Sequence, residues 1–159
     1  MSRYGVLVAR LQNELSNVRN AMRSAVSQSE KAKRTEDNDF WLAAAFSLQN
    51  FYMGTERIFE DVAKQIDNAL PSGANSHREL LEQMALNIAD TRPPVILQDT
   101  LERLQDYRGF RHVAIHRYGF ELRPDRIREL VEILPDTVEM LSRDVKSFCE
   151  FLIALEKNI

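Results

Sequence analysis

Apolar residues return at every third or fourth position along almost the whole chain, and this leaves little room for anything but helices. Leu11, Leu15, Val18, Met22 and Val26 follow one another at that interval. The spacing gathers them on one face of a helix with 3.6 residues per turn and would scatter them over both faces of a strand. Between 39 and 69 the stripe widens to include Trp41, Ala44, Ala45, Leu48, Phe51, Tyr52, Ile58, Phe59, Val62 and Ile66. A helix that is apolar over so broad an arc is buried on most sides, so this segment is expected at the centre of the fold. Only five glycines and five prolines occur in 159 residues, too few breaks for a many-turned all-β protein.

The breaks that do occur divide the chain into helices expected at about 3–34, 39–69, 77–90, 95–118 and 123–157. Asp37 or Asn38 is suited to cap the second helix after the charged stretch "KRTEDNDF". Pro71 and Gly73 stop that helix. Ser76 with Glu79 three residues later reads as a capping box opening the third. Pro93 and Pro94 end the third helix and open the fourth. Gly119 is expected to stop the fourth, and Pro135 to kink or split the fifth. The expected fold class is all-α, an antiparallel bundle of four to five helices forming one domain over 1–159.

The single cysteine, Cys149, rules out an intrachain disulfide and fits a reducing compartment. It follows Phe148 in an apolar helical stretch, as a buried, inert thiol does. No stretch approaches the run of about eighteen apolar residues that a membrane span needs, and no signal peptide is evident. The chain therefore reads as cytoplasmic, with no membrane partner.

The net charge of −3 hides an asymmetry. From Arg103 to Arg128 there are seven arginines against three acids, a local balance of +4 that leaves −7 on the remainder. The densest part is "YRGFRHVAIHRYGFEL", residues 107–122, which holds three arginines, two tyrosines and two of the three histidines. Such a stretch is either a solvated helix face or a place that attracts phosphate.

The same residues carry a resemblance. "RHVAIHRY" has an arginine, four intervening residues, a histidine, one more residue and a tyrosine. Taken with "FYMGTERIFEDVAKQID", "LPSGANSHRELLEQMA" and "RPPVILQDTLERLQDYRGFRHVAIHRYGFEL", it resembles the HepT-like toxins of the HEPN superfamily over roughly 45–125. The resemblance implies a metal-independent ribonuclease that needs no cofactor. It also implies a homodimer whose two motifs face each other across a cleft. The implied partner is a minimal nucleotidyltransferase antitoxin, which silences the toxin by transferring AMP to the motif tyrosine. Carried onto this chain, Arg111 and His116 would be catalytic and Tyr118 the AMP acceptor, with RNA as substrate.

The residue types suit that chemistry. Histidine moves protons near neutrality, and arginine grips phosphate oxygens with paired donors. The spacing is harder to reconcile, because positions five apart on a straight helix point about 140° from each other. Two arrangements meet the difficulty. Either the helix loosens before Gly119, or the working pair is assembled across a twofold axis, which is the favoured expectation. Arg108, three residues before Arg111, and Arg117 are candidates for holding flanking phosphates. Glu56 on the central helix is a candidate for orienting the cationic cluster, or else a plain surface carboxylate.

Two rival readings use the same letters. His112 and His116 are four apart, as two zinc ligands on one helical turn would be, with a third ligand from Glu121 or Asp106; no HExxH pattern or cysteine cluster accompanies them. Alternatively the chain is a non-catalytic helical module. The arginines are then a wet face, His116 a satisfied histidine and Tyr118 an amphipathic core residue. Ser76 and His77 are adjacent but lie at a helix start, where capping accounts for the serine.

Overall fold

The structure is a computed structural model that describes residues 3–158; the outermost residues of the expected domain, 1, 2 and 159, lie outside that range. Five helices account for most of it: α1 (Gly5–Thr35), α2 (Asn38–Val62), α3 (Ser76–Met84), α4 (Gln98–His116) and α5 (Pro124–Lys157). The only pairing of extended backbone among the described residues is the isolated bridge between Ile88 and Arg92. The expected all-α bundle is thus the observed one.

Cross-helix contacts give the directions. Ser24 is hydrogen-bonded to Ser47, and a Cβ at Gly54 would come within 3.1 Å of Val18 Cγ2. Helices α1 and α2 therefore run antiparallel, and the glycine permits their close approach. Arg19 bonds both Glu139 and Ser142, while Lys33 approaches Glu132, so α5 also runs antiparallel to α1. Arg103 reaches Thr137 and Thr100 reaches Asp144, which sets α4 antiparallel to α5. Helix α2 touches every other helix. Its inner face, including Phe51, Tyr52, Ile58, Phe59 and Val62, is buried in a cluster to which all five helices contribute, as its broad apolar arc predicts.

Local chemistry fixes several boundaries. Asp37 caps α2 by accepting from Asp39 N–H at 2.9 Å. Beyond Val62 the helix widens into a π turn, Ala63–Asp67, closed by Asn68 in the left-handed region at φ 51°. Gly73 at φ 97° turns the chain back toward α3, a conformation that glycine adopts without steric penalty.

Four expectations need correction. Ser76 is the first residue of α3 rather than its cap; Asn75 holds that position, and no side chain caps the helix. Helix α3 ends at Met84, not near 90. Its last carbonyls are taken by other donors: Gln83 O by the Arg92 guanidinium, Met84 O by Val95 N–H at 2.8 Å. Pro93 and Pro94 lead into an irregular, bent stretch that buries Val95 and Ile96, so α4 begins only at Gln98. Buried Asp144 on α5 completes that start by accepting from Leu97 N–H and Thr100 Oγ1. Gly119 does not terminate α4, because the helix stops at His116, where Arg117 turns extended.

Pro135 lies inside a continuous α5 and does not split it. A proline removes one helical N–H and crowds the carbonyl a turn earlier. Side chains supply donors on both sides of the break. Tyr107 Oη donates to Leu130 O at 2.7 Å, and Thr137 Oγ1 to Ile133 O at 2.8 Å.

Candidate functional site

Residues 108, 111, 112, 115 and 116 fall on one arc of α4, and this arc faces the start of α3 across α2. Between them lies a cleft of about 370 Å³ lined by Tyr52, Ala74, Asn75, His77, Arg78, Arg108, Arg111, His112, Ile115 and His116. All three histidines of the chain line it. Arg111 and His116 stand at the two edges of the arc, so both face one cleft within one subunit. Neither a loosened helix nor a twofold axis is needed for them to share it.

Glu56 does not line the cleft but touches two residues that do. Its carboxylate is 6% exposed and lies one helical turn after Tyr52 on the buried side of α2. One oxygen, Oε2, is 2.6 Å from His77 Nδ1; the other, Oε1, is 3.9 Å from Arg111 Nε. Glu56 is therefore not a plain surface carboxylate, and it lies between His77 and Arg111. Arg108 is steered by its own helix, donating from Nε to Gln105 Oε1 at 2.9 Å.

Tyr52 is buried, and its hydroxyl finds no hydrogen-bond partner among the described residues. Burial, reinforced by the negative charge of Glu56, pushes its ionisation far above the ordinary tyrosine range, against a smaller opposing effect of Arg108 and Arg111. It therefore stays a neutral phenol.

The remaining arginines of the basic stretch go elsewhere. Arg103 reaches Ile133 O and Thr137 on α5. Arg123 pairs with Asp125, Arg126 with Asp106 and Glu129, and Arg128 with Glu132. For these four the solvated or structural reading is correct. Arg117 lines a separate hollow of about 140 Å³ with Phe110, Val113 and Leu122.

Tyr118 is not among the residues lining the cleft. It is 71% exposed, on a short bracket in which Glu121 Oε1 accepts from its N–H. The expectation of Tyr118 as an amphipathic core residue fails, since its ring is exposed and, among the described residues, stacks on exposed Phe120 at 5.4 Å. The bracket rests against α2, where a Cβ at Gly119 would meet Leu42 at 3.6 Å.

His112 and His116 lie ring to ring at 4.6 Å. No group of three His, Cys, Asp or Glu side chains suited to a metal ion exists among the described residues, so the zinc reading lacks its third ligand. Cys149 is buried, and burial together with Glu150 pushes its thiol up to about 11, which leaves it inert as expected. No helix of the described residues is long and apolar enough to cross a membrane.

The sequence pattern did not single out Asn75 or Arg78, set His77 aside as part of a helix start, and placed Tyr52 only in the apolar stripe of the central helix. Spacing does not connect His77 to Glu56 twenty-one residues earlier; only the turn at Gly73 brings α3 back over α2. The scarcity of histidine was the one available signal, since all three converge.

A family model described as HepT-like protein matches residues 43–152. Comparison with the curated proteins and with the solved structures found no match.

Proposed function

The chain belongs to the HepT-like proteins of the HEPN superfamily, and on that premise we propose that it is a metal-independent endoribonuclease, the toxin of a cytoplasmic toxin–antitoxin pair. The observation that carries this reading is the convergence of three histidines with Arg108 and Arg111 in one cleft. Cations attract the phosphodiester, and Arg111 holds the charge that grows on phosphorus as the 2′-oxygen attacks. His116, exposed at the end of α4, transfers a proton to the departing 5′-oxygen. Arg108 holds a neighbouring phosphate, whereas Arg117, outside the cleft, has no part in it.

A homodimer is favoured by an apolar strip next to the cleft. Leu42, Phe46 and Met53 follow helical spacing on the outer side of α2, with Phe46 64% exposed. Leu42 adjoins Gly119, and Ile115, Tyr118 and Phe120 are exposed nearby. Exposed apolar surface of this extent on a helical face marks a protein contact, and pairing of two copies about a twofold axis would bring the two clefts toward each other.

The cognate antitoxin is a minimal nucleotidyltransferase. The Tyr118 hydroxyl attacks the α-phosphorus of ATP, pyrophosphate leaves, and the tyrosine carries AMP. The exposure of Tyr118 makes it reachable without unfolding. The added bulk and negative charge obstruct RNA at the mouth of the cleft.

Incubation of purified protein with total cellular RNA in excess EDTA tests the activity. Wild type is expected to cleave, His116→Ala and Arg111→Ala to lose about 10²–10³-fold of the rate, and affinity for RNA to fall with salt as phosphate contacts release counterions. Equal cleavage by wild type and His116→Ala removes the catalytic assignment.

A further inference from the structure

Glu56 holds two cleft residues at once, one on each carboxylate oxygen: His77 on Oε2 at 2.6 Å and Arg111 on Oε1 at 3.9 Å. A carboxylate oxygen only accepts, so the hydrogen bond to Oε2 requires His77 Nδ1 to carry a proton. In the neutral ring the lone pair is then on Nε2, on the side of the imidazole away from Glu56. The ring is about half-exposed, at 53%, and lines the cleft. No such device fixes the other two histidines. His112 and His116 are exposed and lie against each other, and neither has a carboxylate partner among the described residues.

We propose that His77 is a catalytic base that takes the 2′-hydroxyl proton, with Glu56 as its positioning residue, so that one subunit holds base, acid and phosphate clamp. This rests on the ribonuclease reading and deepens it. A base whose second nitrogen is anchored by a buried carboxylate keeps its tautomer and aim, and the carboxylate sits opposite the charge that protonation of Nε2 places on the ring. The same carboxylate ties the base to the guanidinium that holds the phosphate, which limits how far either can drift from the other.

The step balances. The 2′-oxygen forms a bond to phosphorus as its proton passes to His77 Nε2. The bond from phosphorus to the 5′-oxygen breaks as His116, initially protonated, gives up its proton to that oxygen. The products are a 2′,3′-cyclic phosphate and a 5′-hydroxyl end, and both rings return to their starting states by proton exchange with water. The charged and titratable groups facing His77 are Glu56 and Tyr52 from α2, Arg78 from α3, and Arg108, Arg111, His112 and His116 from α4.

The experiment compares wild type, His77→Ala, His77→Gln and His116→Ala on total cellular RNA in EDTA, with pH profiles of kcat/KM. Both His77 variants are expected to lose about 10²–10³-fold of the rate, with only the small fall in thermal midpoint that loss of one hydrogen bond to Glu56 brings. The acid limb of the profile should disappear, added imidazole should partly restore His77→Ala, and wild-type products should end in cyclic phosphate. If both variants cleave within about threefold of wild type with the acid limb intact, the proposal falls and the ribonuclease reading stands. A large loss that keeps the acid limb and is not restored by imidazole assigns His77 a structural part and also overturns it. If wild type leaves the RNA intact, both the inference and the reading beneath it fall.

Discussion

Two carboxylates in the C-terminal half of the α2 segment, eleven residues apart, are almost equally buried, yet they are held in different ways. Asp67, in the π turn, is saturated. It takes Arg92 Nε at 2.6 Å and Nη2 at 2.7 Å, with Gln83 Nε2 at 2.8 Å. Arg92 is itself fully enclosed, and its other donors reach the carbonyls of Gln83, Leu86 and Pro93. Glu56 instead holds two residues that line the cleft, His77 half-exposed and Arg111 a quarter exposed, and Arg111 stands at 3.9 Å. A closed pair with every donor used fixes the chain path, here the irregular stretch 85–97. An open pair with donors to spare leaves them for a ligand.

The sharpest way to break this contrast is Arg92→Ala. It strands Asp67 as a buried, unpaired charge and is expected to lower stability by about 3–5 kcal/mol, measured as a lower denaturant midpoint. A loss under about 1 kcal/mol would show the pair to be dispensable. Glu56→Gln should have the opposite balance. Its partners can turn to water, so stability changes by only about 1 kcal/mol, while RNA cleavage falls at least tenfold. Equal damage to stability from the two substitutions would erase the distinction between staple and site.

The neighbouring tyrosines refine it. Tyr107 donates to Leu130 O, whereas the Tyr52 hydroxyl has no partner within the described protein, so Tyr107→Phe should cost about 1 kcal/mol and Tyr52→Phe less. The alkaline limb supplies a second measurement. Burial raises the ionisation of Tyr52; the folded state keeps its proton where the unfolded state releases it, above about pH 10. Unfolding then releases protons, so stability falls as pH rises through that range. Tyr52→Phe should flatten that fall; an unchanged pH dependence would disprove the burial. The smallest expected effect is from Tyr118→Phe, which should leave both the unfolding midpoint and RNA cleavage within error while abolishing the mass gain on incubation with ATP and the cognate nucleotidyltransferase.

Periodicity made the helices legible because burial imposes it: α2 had to be central once its apolar arc was so wide. Asp37 was legible as a cap because capping is a contact two residues long. The stretch 85–97 was not, since what stops α3 is a guanidinium eight residues further on, and its helix-like composition carries no trace of that. Arg108, Arg111, His112 and His116 were visible as a group because one helical arc gathers them. Glu56 was legible as a candidate and His77 was dismissed, because their meeting depends on where the loop at Gly73 sets α3 down. The stop at His116 was placed two residues late, since Gly119 offered a ready reason and the extended backbone at Arg117 none.

That early stop has a mechanical consequence. The stretch from Arg117 to Glu121 lies at the edge of the bundle: it buries no side chain and leans on α2 where Gly119 meets Leu42. A group added to an exposed side chain there, such as Tyr118, displaces nothing from the core. On the proposed reading it would serve as a handle, by which another molecule acts on the activity while the body it grips stays in place.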